Sequence, residues 1–341
     1  MTRIVRRVQL TGGSTFTVSL PKKWVEKHGL KPGSPVVIKP VGSQLIVKPF
    51  SESEAREERT VRLKAGGGVN GETVLRRIIA AYVTGFDKVV VEAPEGVSPK
   101  LRNMVREIVI GKLLGAEIVN EDISLIEIQI FLGYGGVDPY DAVARLGRNA
   151  RSMLHSACSS MVKENGSSLA EIVKEDDMVD RAYFYAMRLI NLIAEGVVEA
   201  DVSVTELLAL RAVIKLVERV GDHVANLAVH AAPLMEEPWL IDEVVGLCRQ
   251  SLDIFEQSFQ AFISKDPLTV DKLAPAVDEL RRREESLISN SVSRVSPQTL
   301  VSLKMVLESI RRISEYSRDI AELALNLGFT RVVESSSPGK P

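Results

Sequence analysis

Carboxylates spaced one helical turn apart are the side chains here that bear most directly on chemistry. Asp176 and Asp180 form one pair, Glu218 and Asp222 a second, and Glu315 and Asp319 a third, with Glu284 standing singly. Residues four apart share a helix face. Pairs from neighbouring helices can therefore converge, and several carboxylate oxygens together suit a hard cation such as iron, magnesium or manganese. Other chemistries lack their residues. His28, His155, His223 and His230 show no ligand spacing, and Val220 and Leu227 stand where a di-iron oxidase bundle would place the acid of Glu-x-x-His. With no Ser/His/Asp or Cys/His constellation either, no enzymatic activity is expected.

These acids must be positioned by helices. Starts are marked by Asp138-Pro139, Ser168 with Glu171, Ser203 with Glu206 and Ser296-Pro297. Breaks at Asn165-Gly166, Glu237-Pro238 and Lys265-Asp266-Pro267 complete six helices near 139–164, 168–200, 204–231, 239–264, 269–294 and 298–327. Short connections make neighbours antiparallel, so two three-helix bundles are expected over 138–233 and 238–330. On the third helix Val213, Val217, Val220, Val224, Leu227 and Ala231 form the buried stripe, leaving Glu218 and Asp222 on the wet face. Asp176 and Asp180 instead lie beside the stripe Leu169, Ile172, Val179, Tyr183, Ile190, and Glu284 sits within Leu273, Val277, Leu280, Leu287. Acids there are costly unless something satisfies them.

The third helix has a partial echo. Glu218-Arg219-Val220-Gly221-Asp222 aligns with Arg311-Arg312-Ile313-Ser314-Glu315, an internal duplication. Six helices in two repeats with these acids resemble the PhoU family of phosphate-uptake regulators, whose E/DxxxD motif recurs on two helices per repeat and binds metal clusters in some members. The resemblance implies a metal ion cluster (iron, or zinc, magnesium or manganese) held by Asp176, Asp180, Glu218 and Asp222. The second repeat departs from the pattern, with Leu280 and Arg311 where first acids should stand. Glu284, Glu315 and Asp319 make a weaker set there.

Charge singles out the other end of the chain. Residues 1–50 hold Arg3, Arg6, Arg7, Lys22, Lys23, Lys27, Lys31, Lys39 and Lys48 against Glu26 alone, while the whole chain is at −2. A basic module on an acidic body points to a polyanion as the module's partner. Thr15–Leu20 alternates as a half-buried strand with Phe16, Val18 and Leu20 on one face. A strand before it, a short helix after Pro21 closed by Gly29, and a hairpin of PVVIK and QLIVKP around Gly42-Ser43 complete the unit. So short a unit buries little alone and is expected to share its core with a second copy. LTGGSTFTVSLPKKWVEKHGLKPGSPVVIKPVGSQLIVKP resembles the AbrB/MazE/SpoVT swapped-hairpin family. That resemblance implies a homodimer gripping duplex DNA, with Arg3, Arg6, Arg7, Lys22 and Lys23 facing phosphate.

Between these parts, residues 58–135 alternate strand and helix. Gly66-Gly67-Gly68-Val69-Asn70-Gly71 satisfies GxGxxG, with Glu92 downstream. The polar–apolar alternation of TVRLK and the small strand number argue against a dinucleotide site and for a connector.

The fold class expected is multidomain α+β: an N-terminal swapped-hairpin β domain (1–50), a small α/β domain (58–135) and an all-α PhoU-like double three-helix bundle (138–330), with a disordered tail at 334–341. Cys158 and Cys248 lack neighbours at metal or redox spacing, so a disulfide is not expected and both read as core side chains. No signal peptide opens the chain and no apolar run nears the ~20 residues of a membrane span. A cytoplasmic location without membrane insertion follows. The reading is a phosphate-responsive, DNA-binding transcriptional regulator; the alternative is an adaptor docking on a phosphate transporter ATPase subunit or a sensor protein, its N-terminal module serving only dimerisation.

Overall fold

The computed structural model describes residues 4–41, 44–50, 58–66, 68–162 and 169–335. Arg3, Gly67, the Gly42-Ser43 turn, Asn165-Gly166, Ser168 and the tail after Ser335 lie outside them. Two compact units form, one ending at Glu57 and one beginning at Glu58.

The first unit holds two separate hairpins. β1 (Gln9–Thr11) pairs antiparallel with β2 (Thr15–Thr17), and β3 (Val36–Val41) with β4 (Gln44–Pro49). Between them lies the short helix α1 (Lys22–Lys27), and the chain turns at Gly29 and Gly33 with φ of 64° and 89°, a region that favours glycine. The alternating residues are not half-buried as expected: Phe16 is 74% and Val18 53% exposed in the single chain. Two hairpins of this size have no opposite sheet of their own to cover them.

The second unit begins with a mixed sheet ordered β5-β6-β8-β7. β5 (Thr60–Lys64) runs parallel to β6 (Lys88–Glu92); β8 (Leu125–Ile130) is antiparallel to both β6 and β7 (Ala116–Glu121). Helices α2 (Gly71–Val83) and α3 (Pro99–Lys112) cover one face, burying Val74, Ile78, Val105 and Val109 with Val89, Val91, Ile126 and Ile128. The other face carries the Arg62–Glu92 and Lys88–Glu127 ion pairs beside the buried Val90. β5 lies at the sheet edge, in keeping with its alternation, and Asn70 from the glycine loop caps α2 through the Glu72 amide.

Six long helices follow: α4 (Pro139–Ser160), α5 (Leu169–Ala194), α6 (Val204–His230), α7 (Pro238–Ser264), α8 (Thr269–Ser291) and α9 (Pro297–Ser335). Asp138 caps α4, and Ser203 with Glu206 forms a capping box on α6. Helix α9 runs past its expected end at 327 and takes in Glu334 and Ser335 of the expected tail. One apolar core runs through both sets of three helices, because α6 packs on α9 and α4 on α7. Where α4 and α7 meet, Cys158 and Cys248 form a disulfide at 2% and 0% exposure. This corrects the expectation of two unpaired core thiols. Sequence spacing carried no sign of it, since the pairing depends on which helices touch. Among the described residues no helix is long and apolar enough to cross a membrane.

Candidate functional site: an acidic cluster between the second and third helices of the body

Helices α5 and α6 approach closely at Gly221, where a Cβ would stand 2.9 Å from Val179 Cγ1 and 3.4 Å from Asp176 Oδ1. The missing side chain brings Asp176 and Asp180 beside Glu218 and Asp222, the four residues expected to converge. Their electrostatics show the crowding. Burial, then the charges of Asp180 and Asp222, push the Asp176 carboxyl up to about 6. Burial raises Glu218 and Asp222 as well. Asp222 is exposed, as expected for a wet face, but Glu218 is not: its side chain is only 13% exposed. Helical projection of α6 alone missed that Asp180 and Tyr183 of α5 stand beside it, close enough for charge interaction.

Two lysines answer this charge. Lys112, the last residue of α3, donates to Asp180 at 2.7 Å and pairs with Asp177 at 3.3 Å. Lys215 donates to both Glu218 oxygens at 2.6 and 2.5 Å. Lys215 was legible in the sequence, three residues before Glu218 on the same helix. Nothing local signalled Lys112, which comes from the α/β part of the unit. The α/β part is also tied down by Arg188 of α5, 1% exposed, which donates to the Tyr82 and Phe86 carbonyls, to Tyr134 Oη and to Asp87 Oδ1.

In the second repeat an arginine takes the central place. Arg311 lies 3.2 Å from Glu284 Oε2 and 2.7 Å from Glu315 Oε1, and Arg312 donates to the other Glu315 oxygen at 2.9 Å. Burial alone would raise Glu315, but these hydrogen bonds outweigh it and hold the carboxyl below the usual range. Glu284, 7% exposed, is raised by its burial despite Arg311. Asp319 lies a turn further along α9, also raised by burial. The two repeats meet through α6 and α9, where Asn226 donates to Ser309 Oγ at 2.8 Å and His223 lies 5.7 Å from the Tyr316 ring.

The first helical repeat resembles a known family. Residues 143–231, which include Asp176, Asp180, Glu218 and Asp222, match the family model of the PhoU domain. This stretch is similar to the PhoU domain. A crystal structure of PhoU from Pseudomonas aeruginosa shares the fold, with a TM-score of 0.50 and 19% identity over 56% of this chain and 96% of that one. Residues 9–54 match a second model, described as antidote-toxin recognition MazE, bacterial antitoxin. No curated protein matches the chain.

The PhoU resemblance implies metal, and the donor set of hard carboxylate oxygens has the right chemistry for it. Three of those oxygens accept from lysines: Asp180 Oδ2 from Lys112 and both Glu218 oxygens from Lys215. Among the described residues no group of three or more His, Cys, Asp or Glu side chains is placed to hold a metal ion. Binding one at the first cluster would require Lys112 to leave Asp180 and Lys215 to leave Glu218. In the N-terminal unit, Arg6, Arg7, Lys22 and Lys23 are all exposed, with Lys22 3.6 Å from Glu26; Arg3 lies outside the described residues.

Proposed function

We propose that this chain is a phosphate-responsive regulator of phosphate uptake, a homodimer whose N-terminal modules bind duplex DNA and whose PhoU domain senses or relays phosphate status. The observation that carries this reading is the joining, in one chain, of a basic MazE-like hairpin module to a PhoU domain. Dimerisation is supported by the uncovered apolar side chains of the module, Leu10, Phe16, Val18, Ile38 and Leu45, each more than half exposed in the single chain. A second copy that interleaves its hairpins would cover them. DNA binding is supported by the exposed cations Arg6, Arg7, Lys22 and Lys23. The protein acts by binding, in the cytoplasm, and not by catalysis.

Fluorescence anisotropy with labelled duplex DNA, titrated with salt, tests the reading. Binding is expected to weaken linearly in log–log form, with a slope of roughly 0.9 per phosphate neutralised. Arg6→Ala with Arg7→Ala should reduce that slope by about two, one for each phosphate contact removed. A dimer with no affinity for DNA at low salt would replace it with the adaptor reading, in which the module only dimerises and the PhoU domain docks on a phosphate transporter ATPase subunit.

A further inference from the structure

Away from the acidic cluster, α4 and α7 and the start of α8 part to leave a cleft of ≈ 700 Å³. That is within the size range of small-molecule sites, roughly 300–1,000 Å³. Its apolar wall is Phe259 with Ile263. Phe259 reaches its place because residue 147 is glycine: a Cβ there would stand 2.1–2.6 Å from three atoms of the ring. The ring thus lies directly on the backbone of α4 and is left half-buried at the cleft.

The rim is cationic. Arg148, Arg151 and Lys272 line the cleft, with Glu256 and Asp266 as its acids. Both acids are committed. Glu256 accepts from Arg151 at 2.5 Å, and Asp266 accepts from the Leu268 amide at 2.9 Å and the Thr269 hydroxyl at 2.7 Å, fixing the start of α8. Arg148 and Lys272 form no hydrogen bond or ion pair among the described residues, and both are exposed. Lys272 lies within charge reach of Asp266, but neither it nor Arg148 is held by a hydrogen bond, and an aromatic wall next to these two cations complements a ligand with an aromatic body and an anionic end. The ring offers offset or edge-to-face packing, and a guanidinium offers a two-pronged donor to phosphate.

We propose that this cleft binds a phosphorylated aromatic small molecule of the nucleotide class, with the base against Phe259 and the phosphates between Arg148 and Lys272. The proposal is independent of the DNA-binding module. Isothermal titration of the full chain with ATP, adenosine and inorganic phosphate tests it. ATP is expected to bind one per chain, with adenosine and phosphate each weaker by about ten-fold or more, the loss of at least one favourable contact. Arg148→Ala with Lys272→Ala should weaken ATP by a similar factor while the melting temperature and DNA affinity stay unchanged. Gly147→Ala, which displaces Phe259, should weaken adenosine as well. No ATP binding up to millimolar concentration would overturn the proposal. So would ATP binding that the Arg148/Lys272 double variant leaves intact, or phosphate or adenosine binding as tightly as ATP.

Discussion

Lys112 Nζ stands 2.7 Å from Asp180 Oδ2, so a helix of the α/β part supplies the counter-charge for carboxylates on the helical body. Burial lowers the affinity of Lys112 for its proton, but hydrogen bonds and charges from Asp180 and Asp177 outweigh it and raise its pKa, keeping it an ammonium. Lys112 and Lys215 are the counter-ions of Asp180 and Glu218, beside the close approach of α5 and α6 at Gly221.

Lys112→Ala should therefore destabilise the protein by about 1–2 kcal/mol, a charged hydrogen bond discounted for partial exposure. Urea denaturation measures this, and Asp176→Asn in the same background should recover part of the loss by removing one of the repelling charges. Mn²⁺ affinity, followed by calorimetry, should rise in the lysine variant because the position opposite Asp180 is vacated. Unchanged stability and unchanged Mn²⁺ affinity would mean that solvent, not Lys112, balances the cluster.

Arg188→Met tests the join between the α/β part and the helices. The guanidinium is 1% exposed and serves two carbonyls, a phenol and Asp87. Removing one partner of such a buried set costs about 3–5 kcal/mol. Hydrogen exchange should show the loss of protection at the C-terminal end of α2, around Tyr82, ahead of the core of α6. Equal protection in both would show that the apolar contacts alone hold the parts together.

Reduction should separate the stability of the two repeats. The Cys158–Cys248 bond closes a chain separation of 90 residues, for which a loop-entropy estimate is about 4–5 kcal/mol, an upper figure where the reduced chain keeps residual structure. Cys158→Ser with Cys248→Ser should melt lower than the oxidised protein and no longer respond to reductant. Intact-mass measurement under non-reducing conditions, showing two free thiols in the native protein, would remove the basis of this prediction.

Acid sensitivity should trace to Glu206. Burial would raise its carboxyl, but hydrogen bonds from Lys265, the Ser203 amide and the Ser203 hydroxyl hold it at about 2. A depressed carboxyl contributes stability above its unfolded value, here 4.5, and that contribution is lost as pH falls through about 2. After allowance for solvent screening the effect is about 1–2 kcal/mol. Glu206→Gln should flatten the fall of the melting temperature over that window; an unaltered pH profile would assign acid sensitivity elsewhere.

Much of the scaffold was legible in local pattern. The stripe Val213, Val217, Val220, Val224 and Leu227 is fully buried as its 3.6-residue spacing required, and the caps at Asp138 and Ser203 start their helices where expected. Asp176, Asp180, Glu218 and Asp222 interact by charge across α5 and α6, and Arg311, noted as standing where an acid should be, proves to be the cation between Glu284 and Glu315.

What the sequence by itself determined is what one element specifies: which face of a helix is apolar, where it begins, which charges share that face, and that the N-terminal unit is basic. Only the tertiary structure decided what lies opposite each face. Glu218 lost its water to α5, Cys158 found Cys248 across the α4–α7 contact, and Lys112 reached the acids from another part of the unit. Periodicity describes a helix about its own axis, whereas burial, pairing and charge balance depend on the neighbour that packs against it.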